Sequence, residues 1–199
     1  MEEIFLFASF DWGVRNHIIR VQQPDTMIGK NSSSDDADRW IELLRLEKHP
    51  EGGYYRETYR SDETIDKEHL PERFNGSRSF STAIYYLLKG NDFSAFHRIK
   101  QDELFHFYDG SPLTIHVIDD SGNYSTIRLG RNIKNGEVPQ TILKAGWIFG
   151  ASVSDTNSYS LVGTTVAPGF DFEDFELLGR KKLIELYPKH KNIIEKLTR

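Results

Sequence analysis

The run Phe96-His97-Arg98-Ile99-Lys100-Gln101-Asp102-Glu103-Leu104-Phe105-His106-Phe107-Tyr108-Asp109-Gly110 restricts the fold more than any other stretch of the chain. Apolar and polar residues alternate over 94–99 and again over 103–108, with a polar connection between them. That is the period of two β-strands and not of a helix. Read as an antiparallel pair, the alternation puts His97 on one face with Ala95 and Ile99, and Glu103 on one face with Phe105 and Phe107. An imidazole and a carboxylate among apolar neighbours are therefore expected to point into one cavity.

The same period recurs along the chain. Strand-like runs cover 54–60, 80–88, 93–99, 103–108, 113–119, 124–129, 140–143, 147–152, 158–162 and 165–166, separated by clusters of Gly, Asn, Asp and Pro. Asp119-Asp120-Ser121-Gly122-Asn123 falls between two such runs and reads as a hairpin connection. Many short strands of this kind predict an all-β double sheet, with an open mouth able to hold a ligand.

Helical spacing enters twice. Ser34 reads as an N-cap, Asp35 and Asp36 follow it, and Trp40, Leu43, Leu44 and Glu47 make one face of a helix expected to lie outside the sheets. Phe175, Leu178, Leu183, Ile184, Leu186 and Tyr187 predict a helix ending before Pro188, which opens a last one burying Ile193, Ile194 and Leu197. Residues 1–34 read as an N-terminal extension, with Phe5, Phe7 and Val14 available for an edge strand, and 35–199 as a single domain. The polar run 61–71 reads as a surface excursion.

A chain of 199 residues with 38% hydrophobic content can bury one core. Its 25 basic and 30 acidic residues are interspersed, so no face is built to neutralise phosphates, and nucleic acid is not an expected partner. There is no cysteine, which removes disulfides, thiolate ligands and a cysteine nucleophile together. The apolar run within Met1–Phe10 has an acidic flank and is followed by Asp11 and Arg15, a poor signal peptide and too short to span a membrane. A cytoplasmic protein with no membrane partner is expected.

His97 and Glu103 supply two metal donors, whereas a catalytic centre normally takes three with an open position. Alternation from Glu103 turns His106 to the other face. Without a metal, the pair can act as acid and base, because desolvation raises a carboxylate pKa and imidazole titrates near neutrality. Removing and returning a proton beside a carbonyl needs no ion. Tyr55, Phe105, Trp147 and Phe149 are a candidate cavity lining, and Arg56 an anion contact if it faces inward. The plainer alternative is that His97 and Glu103 form a satisfied buried pair. His49, His69, His116 and His190 read as surface or loop residues, and Val166–Phe172 as a tight turn with an apolar anchor.

His97, Glu103 and Gly110 also stand where the first cupin motif has its leading histidine, its glutamate and its glycine. The motif's second histidine is here Ile99, and Lys144-Ala145-Gly146-Trp147-Ile148-Phe149 resembles the second motif with Phe149 in place of its histidine. Together with His49–Tyr59, Ser81–Leu88 and Tyr159–Phe172, these segments resemble a small-cupin family whose domain has no known function, over roughly residues 38–190. The resemblance implies a cupin double-stranded β-helix, or jelly roll, with an N-terminal helix and C-terminal helices outside it, and a homodimer. It implies a small-molecule ligand in the barrel. Some metal-free cupins are epimerases with a histidine base and a tyrosine acid, so the resemblance suggests a metal-independent isomerase or epimerase acting on a sugar-like or nucleotide-linked substrate, with Tyr55, Tyr86 and Tyr108 as candidate proton partners. His97 would be the base and Glu103 its acid or orienting partner. Tyr55, Arg56, Tyr86, Phe105, Trp147 and Phe149 would contact the ligand. The alternatives are a non-catalytic binding module, or an enzyme holding a divalent metal on His97 and Glu103.

Overall fold

The computed structural model describes residues 34–199, which lie within one compact unit. The expected edge-strand contribution of Phe5, Phe7 and Val14 lies outside the described residues. Helix α1 (Ser34–Leu44) opens with Asp35 and Asp36 in its first turn. It is followed by β1 (Glu47–Lys48), β2 (Tyr54–Arg60), β3 (Thr64–Ile65), β4 (Arg78–Ser79), β5 (Thr82–Lys89), β6 (Phe93–Arg98) and β7 (Asp102–Gly110). Then come β8 (Leu113–Ile118), β9 (Tyr124–Leu129), β10 (Gln140–Leu143), β11 (Ile148–Val153), β12 (Tyr159–Ala167) and β13 (Glu176–Leu177). Helices α2 (Arg180–Leu186) and α3 (Lys191–Lys196) close the chain, with a 3-10 turn at Pro188–His190 between them.

The strands form a six-stranded sheet, β1-β2-β5-β12-β7-β10, and a five-stranded sheet, β13-β6-β11-β8-β9, with β3 and β4 paired apart. Their inner faces meet in the main core, where Leu88, Phe105, Leu113, Ile115, Leu129, Leu143, Phe149 and Val162 pack together. Each outer face has its own cover. Ala37, Trp40, Ile41 and Leu44 of α1 pack on Leu87, Tyr159 and Leu161 of the six-stranded sheet. Leu183, Ile194 and Leu197 pack on Phe96, Ile118 and Ile148 of the other. The jelly-roll reading of the sequence is the architecture found: two sheets with helices outside.

Three details differ from the sequence reading. β6 and β7 do not pair with each other: β6 bonds to β11 and β13, and β7 to β12 and β10. The connection is a corner from one sheet to the other, anchored by buried Gln101, whose Nε2 donates to Asp174 Oδ2 at 2.7 Å. The helix expected from Phe175 begins only at Arg180, because Glu176 and Leu177 first pair with Arg98 and His97 as an edge strand. The two runs 158–162 and 165–166 are one strand through Gly163, where a Cβ would fall 2.1 Å from the Tyr108 hydroxyl. Tyr108 is the extra residue of a bulge there, since Leu161 faces Asp109 and Val162 faces Phe107.

Candidate functional site

The site begins at a turn. His49-Pro50-Glu51-Gly52-Gly53 reverses the chain ahead of β2, with the Gly52 N–H donating to the His49 carbonyl at 3.1 Å. Gly52 and Gly53 have φ of 120° and 69°, which side-chain-bearing residues rarely adopt, and a Cβ on Gly52 would lie 2.1 Å from the Phe93 carbonyl oxygen. The turn is pinned to β6 by the Ala95 N–H, which donates to the Glu51 carbonyl at 2.8 Å. Glu51, with only 8% of its surface exposed, is thereby placed against the inner face of β6.

Between the sheets lies a cavity of about 430 Å³, lined by residues of both. Ile84, Phe105, Leu113, Ile115, Phe149 and Ala151 make much of the lining apolar. Among them stand the polar side chains of His49, Glu51, Ser94, His97, Glu103 and Thr164. The mouth is bordered by Glu57, Arg60, Phe170, Asp171, Phe172 and Phe175. The segment bearing Phe170 and Phe175 is held down by buried Asp174, to which Arg78 donates twice at 2.7 Å.

Hydrogen bonds tie the polar lining residues to one another. His97 Nδ1 is 2.7 Å from the Ala95 carbonyl, which can only accept, so Nδ1 carries a proton. His97 Nε2 is 3.1 Å from Glu51 Oε2, and that contact holds one further proton, so the pair as a unit is neutral whichever atom carries it. The Ser94 hydroxyl donates to Glu51 Oε1 at 2.8 Å. His49 Nδ1 accepts from the Glu51 N–H at 3.4 Å. Nδ1 lies equally far, 3.4 Å, from Glu51 Oε2, and burial lowers the His49 pKa against the opposing charge of Glu51, with His97 lowering it further, so the ring is held neutral. The Tyr86 hydroxyl donates to the Gly52 carbonyl at 2.9 Å, and burial raises its pKa well above the phenol value.

Glu103 lies in the same cavity from the other sheet. Burial pushes its pKa up to about 8, the charge of Glu51 adds to the rise, and a hydrogen bond with Thr164 opposes it. At neutral pH Glu103 is therefore a carboxylic acid, a hydrogen-bond donor facing a carboxylate–imidazole pair.

The donor set does not fit the four-ligand metal centre that the cupin resemblance implies. Ile99 and Phe149 bring alkyl and phenyl surface to the cavity at two of the motif positions, and the Phe149 ring lies 4.2 Å from that of His97. Among the described residues, no group of three or more His, Asp or Glu side chains is arranged to hold a metal ion.

Of the residues singled out in the sequence, His97, Glu103, Tyr55, Tyr86, Phe105 and Phe149 all line the cavity. Trp147 does not: it precedes β11 and packs half-buried against the main core. Arg56 does not either, because alternation along β2 sends Tyr55 and Glu57 inward and turns Arg56 outward, where it donates to the Leu44 carbonyl at 3.0 Å. Tyr108 is 45% exposed on the outer face. His106 lies 3.4 Å from Thr165 Oγ1, outside the cavity lining.

His49 corrects the loop reading most strongly, its side chain being only 9% exposed in a sleeve of Tyr55, Phe172 and Phe175 rings. His116 is a half-buried strand residue rather than a loop one. It bridges the Tyr124 and Ser152 hydroxyls at 2.7 and 3.1 Å, and burial pushes its pKa down to about 4. The Phe170–Phe172 segment borders the cavity in addition to serving as an apolar anchor. Glu51 had no place in the sequence reading. Its signal was available: a carboxylate between a His-Pro pair and a Gly-Gly pair sits on a backbone that cannot be an ordinary strand.

Comparison with known proteins agrees with this architecture. Residues 38–178 match the family model described as Cupin superfamily (DUF985). An uncharacterized protein of Saccharomyces cerevisiae, YML079W, is 33% identical over 144 residues, spanning 67% of this chain and 71% of that protein. Protein SO0799 of Shewanella oneidensis has a crystal structure that superposes with a TM-score of 0.74 at 39% identity, over 84% of this chain and 98% of that one. A hypothetical protein from Leishmania major superposes with a TM-score of 0.73 at 36% identity, over 81% of this chain and 98% of that one.

Proposed function

We propose that this chain, which belongs to the DUF985 family of the cupin superfamily, binds a small organic molecule in its cavity and moves a proton on it, as a metal-independent isomerase or epimerase. The observation that carries the reading is the convergence of Glu51, His97 and Glu103, from a turn and two different sheets, on one enclosed space. Both ring nitrogens of His97 are engaged, so the proton acceptor is the Glu51 carboxylate and His97 is its positioning residue. Glu51 takes a proton from the carbon beside a carbonyl, the C–H electrons form a C=C bond, and the C=O π electrons move onto the oxygen, which is stabilised by a hydrogen bond from the Glu103 acid. Return of the proton to carbon completes an isomerisation with no net gain or loss of electrons.

The test is solvent exchange. Candidate aldoses, ketoses and aryl ketones are incubated with the full chain in D2O and followed by proton NMR. Enzyme-dependent loss of an α-proton signal is expected, abolished in Glu51→Gln and reduced in His97→Gln, with circular dichroism showing both variants folded. Saturable binding with no exchange on any compound would make the protein a binding module and refute the proton-transfer reading. The homodimer implied by the family resemblance is proposed with it, and the native mass of protein purified without chelator reads the assembly together with any retained small molecule.

A further inference from the structure

We propose that the cavity is built for an uncharged, amphipathic carbonyl compound and against anions, nucleotide-linked molecules included; this deepens the proton-transfer reading above and rests on it. The argument is a census of charge. Among the described lining residues the only permanent cation is Arg60, and its guanidinium is already engaged. Nε and Nη2 donate to the two Glu57 oxygens at 3.0 and 2.7 Å, and Nη1 and Nη2 both donate to the Phe170 carbonyl at 3.1 Å. His97 and Glu51 share one proton and are neutral together, His49 is neutral, and Glu103 is neutral.

The charge left over is negative. Asp171 stands at the mouth with one carboxylate oxygen accepting from the Glu173 N–H at 2.8 Å. A phosphate or carboxylate entering here would lose its water, meet no free cation and pass a carboxylate, which is unfavourable on every count.

The polar groups stand among apolar ones: Phe149 is the strand partner of His97, Ala151 of Ser94, and Ile84 and Phe105 both of Thr164. Together with Leu113 and Ile115 these apolar side chains offer no hydrogen bond, so a molecule hydroxylated all round would leave groups unpaired against them. The complement is a largely apolar body with few polar groups. Tyr86 is bonded to a backbone carbonyl and Ser94 to Glu51, while the Glu103 acid faces the cavity as a donor. An acid donor in one cavity with a carboxylate base matches a carbonyl oxygen next to a removable proton.

Three probes of one shape and different charge test this on the full chain at neutral pH: 2-acetonaphthone, 2-naphthoate and 2-naphthylmethylammonium, titrated by fluorescence. The ketone should bind at least about tenfold more tightly than either ion. Glu103→Leu should remove that preference, while Glu103→Gln, whose amide still donates, should keep most of it. Either ion binding as tightly as the ketone, or no binding of the ketone, overturns the inference. The proton-transfer reading fails separately: a ketone that binds without exchanging its acetyl protons in D2O sinks proton transfer and leaves the substrate class standing. Exchange catalysed on an anionic compound does the reverse.

Discussion

The burial of Glu103 has a consequence for stability that can be measured without knowing the ligand. In the unfolded chain its carboxyl titrates at the ordinary value of 4.5, and in the folded chain at about 8. The folded state therefore holds this proton more tightly, and unfolding between those values releases it. By linkage, the stability associated with the neutral acid is fully present below pH 4.5 and is lost as pH rises towards about 8. Each pH unit in that window removes at most about 1.4 kcal/mol, so the whole loss is bounded by about 5 kcal/mol.

Glu103→Gln keeps the shape and the donor but cannot ionise, which isolates the effect. Urea unfolding of both proteins across the window should give a stability difference that moves steadily in favour of the variant as pH rises. The other titrating groups cancel in that difference, except through the coupling of Glu103 to Glu51. By about pH 9 the glutamine protein should be the more stable by several kcal/mol. Parallel profiles would refute the assignment of a neutral acid to this position.

Two further outcomes follow from the geometry. Replacing Asp174 by Asn removes the charge partner of the buried Arg78 guanidinium, which donates two 2.7 Å hydrogen bonds to that carboxylate, and weakens one of the two acceptors of Gln101 Nε2. A loss of about 3–5 kcal/mol is expected by urea unfolding, and a change under about 1 kcal/mol would show the pair to be dispensable. Restoring imidazole in the double variant Ile99→His, Phe149→His should create a cobalt(II) site visible by its absorption bands and stoichiometric by titration, where the parent protein gives none. Equal cobalt binding by the parent would overturn the conclusion that these two side chains close the metal route.

The strands were legible because alternation is a local property: Tyr54–Arg60, Tyr124–Leu129 and Gln140–Leu143 lie where their own side chains put them. Strand pairing is not local. The runs carrying His97 and Glu103 look like a hairpin, yet the corner at Gln101 is made by Asp174, more than seventy positions away, and no pattern within the runs records it. The expectation that both side chains reach one cavity nevertheless holds, since inward faces of opposed sheets converge as well as those of one. Arg56 and Trp147 were misplaced for lack of a fixed register: a residue on a strand is inward or outward only relative to a neighbour whose identity the sequence withholds.

The turn at His49–Gly53 shows the opposite failure, where the signal was present but carried no periodicity. Pro50 and the glycine pair mark a loop, and loops run over the surface, so no pattern directs His49 and Glu51 inward. What brings Glu51 inside is the Ala95 N–H bonding to its carbonyl and the His97 imidazole meeting its carboxylate. The substituted motif positions then become informative together with that turn. Ile99 and Phe149 bring no donor atom to two of the motif positions, and a carboxylate from outside the motif meets His97 instead, at 3.1 Å.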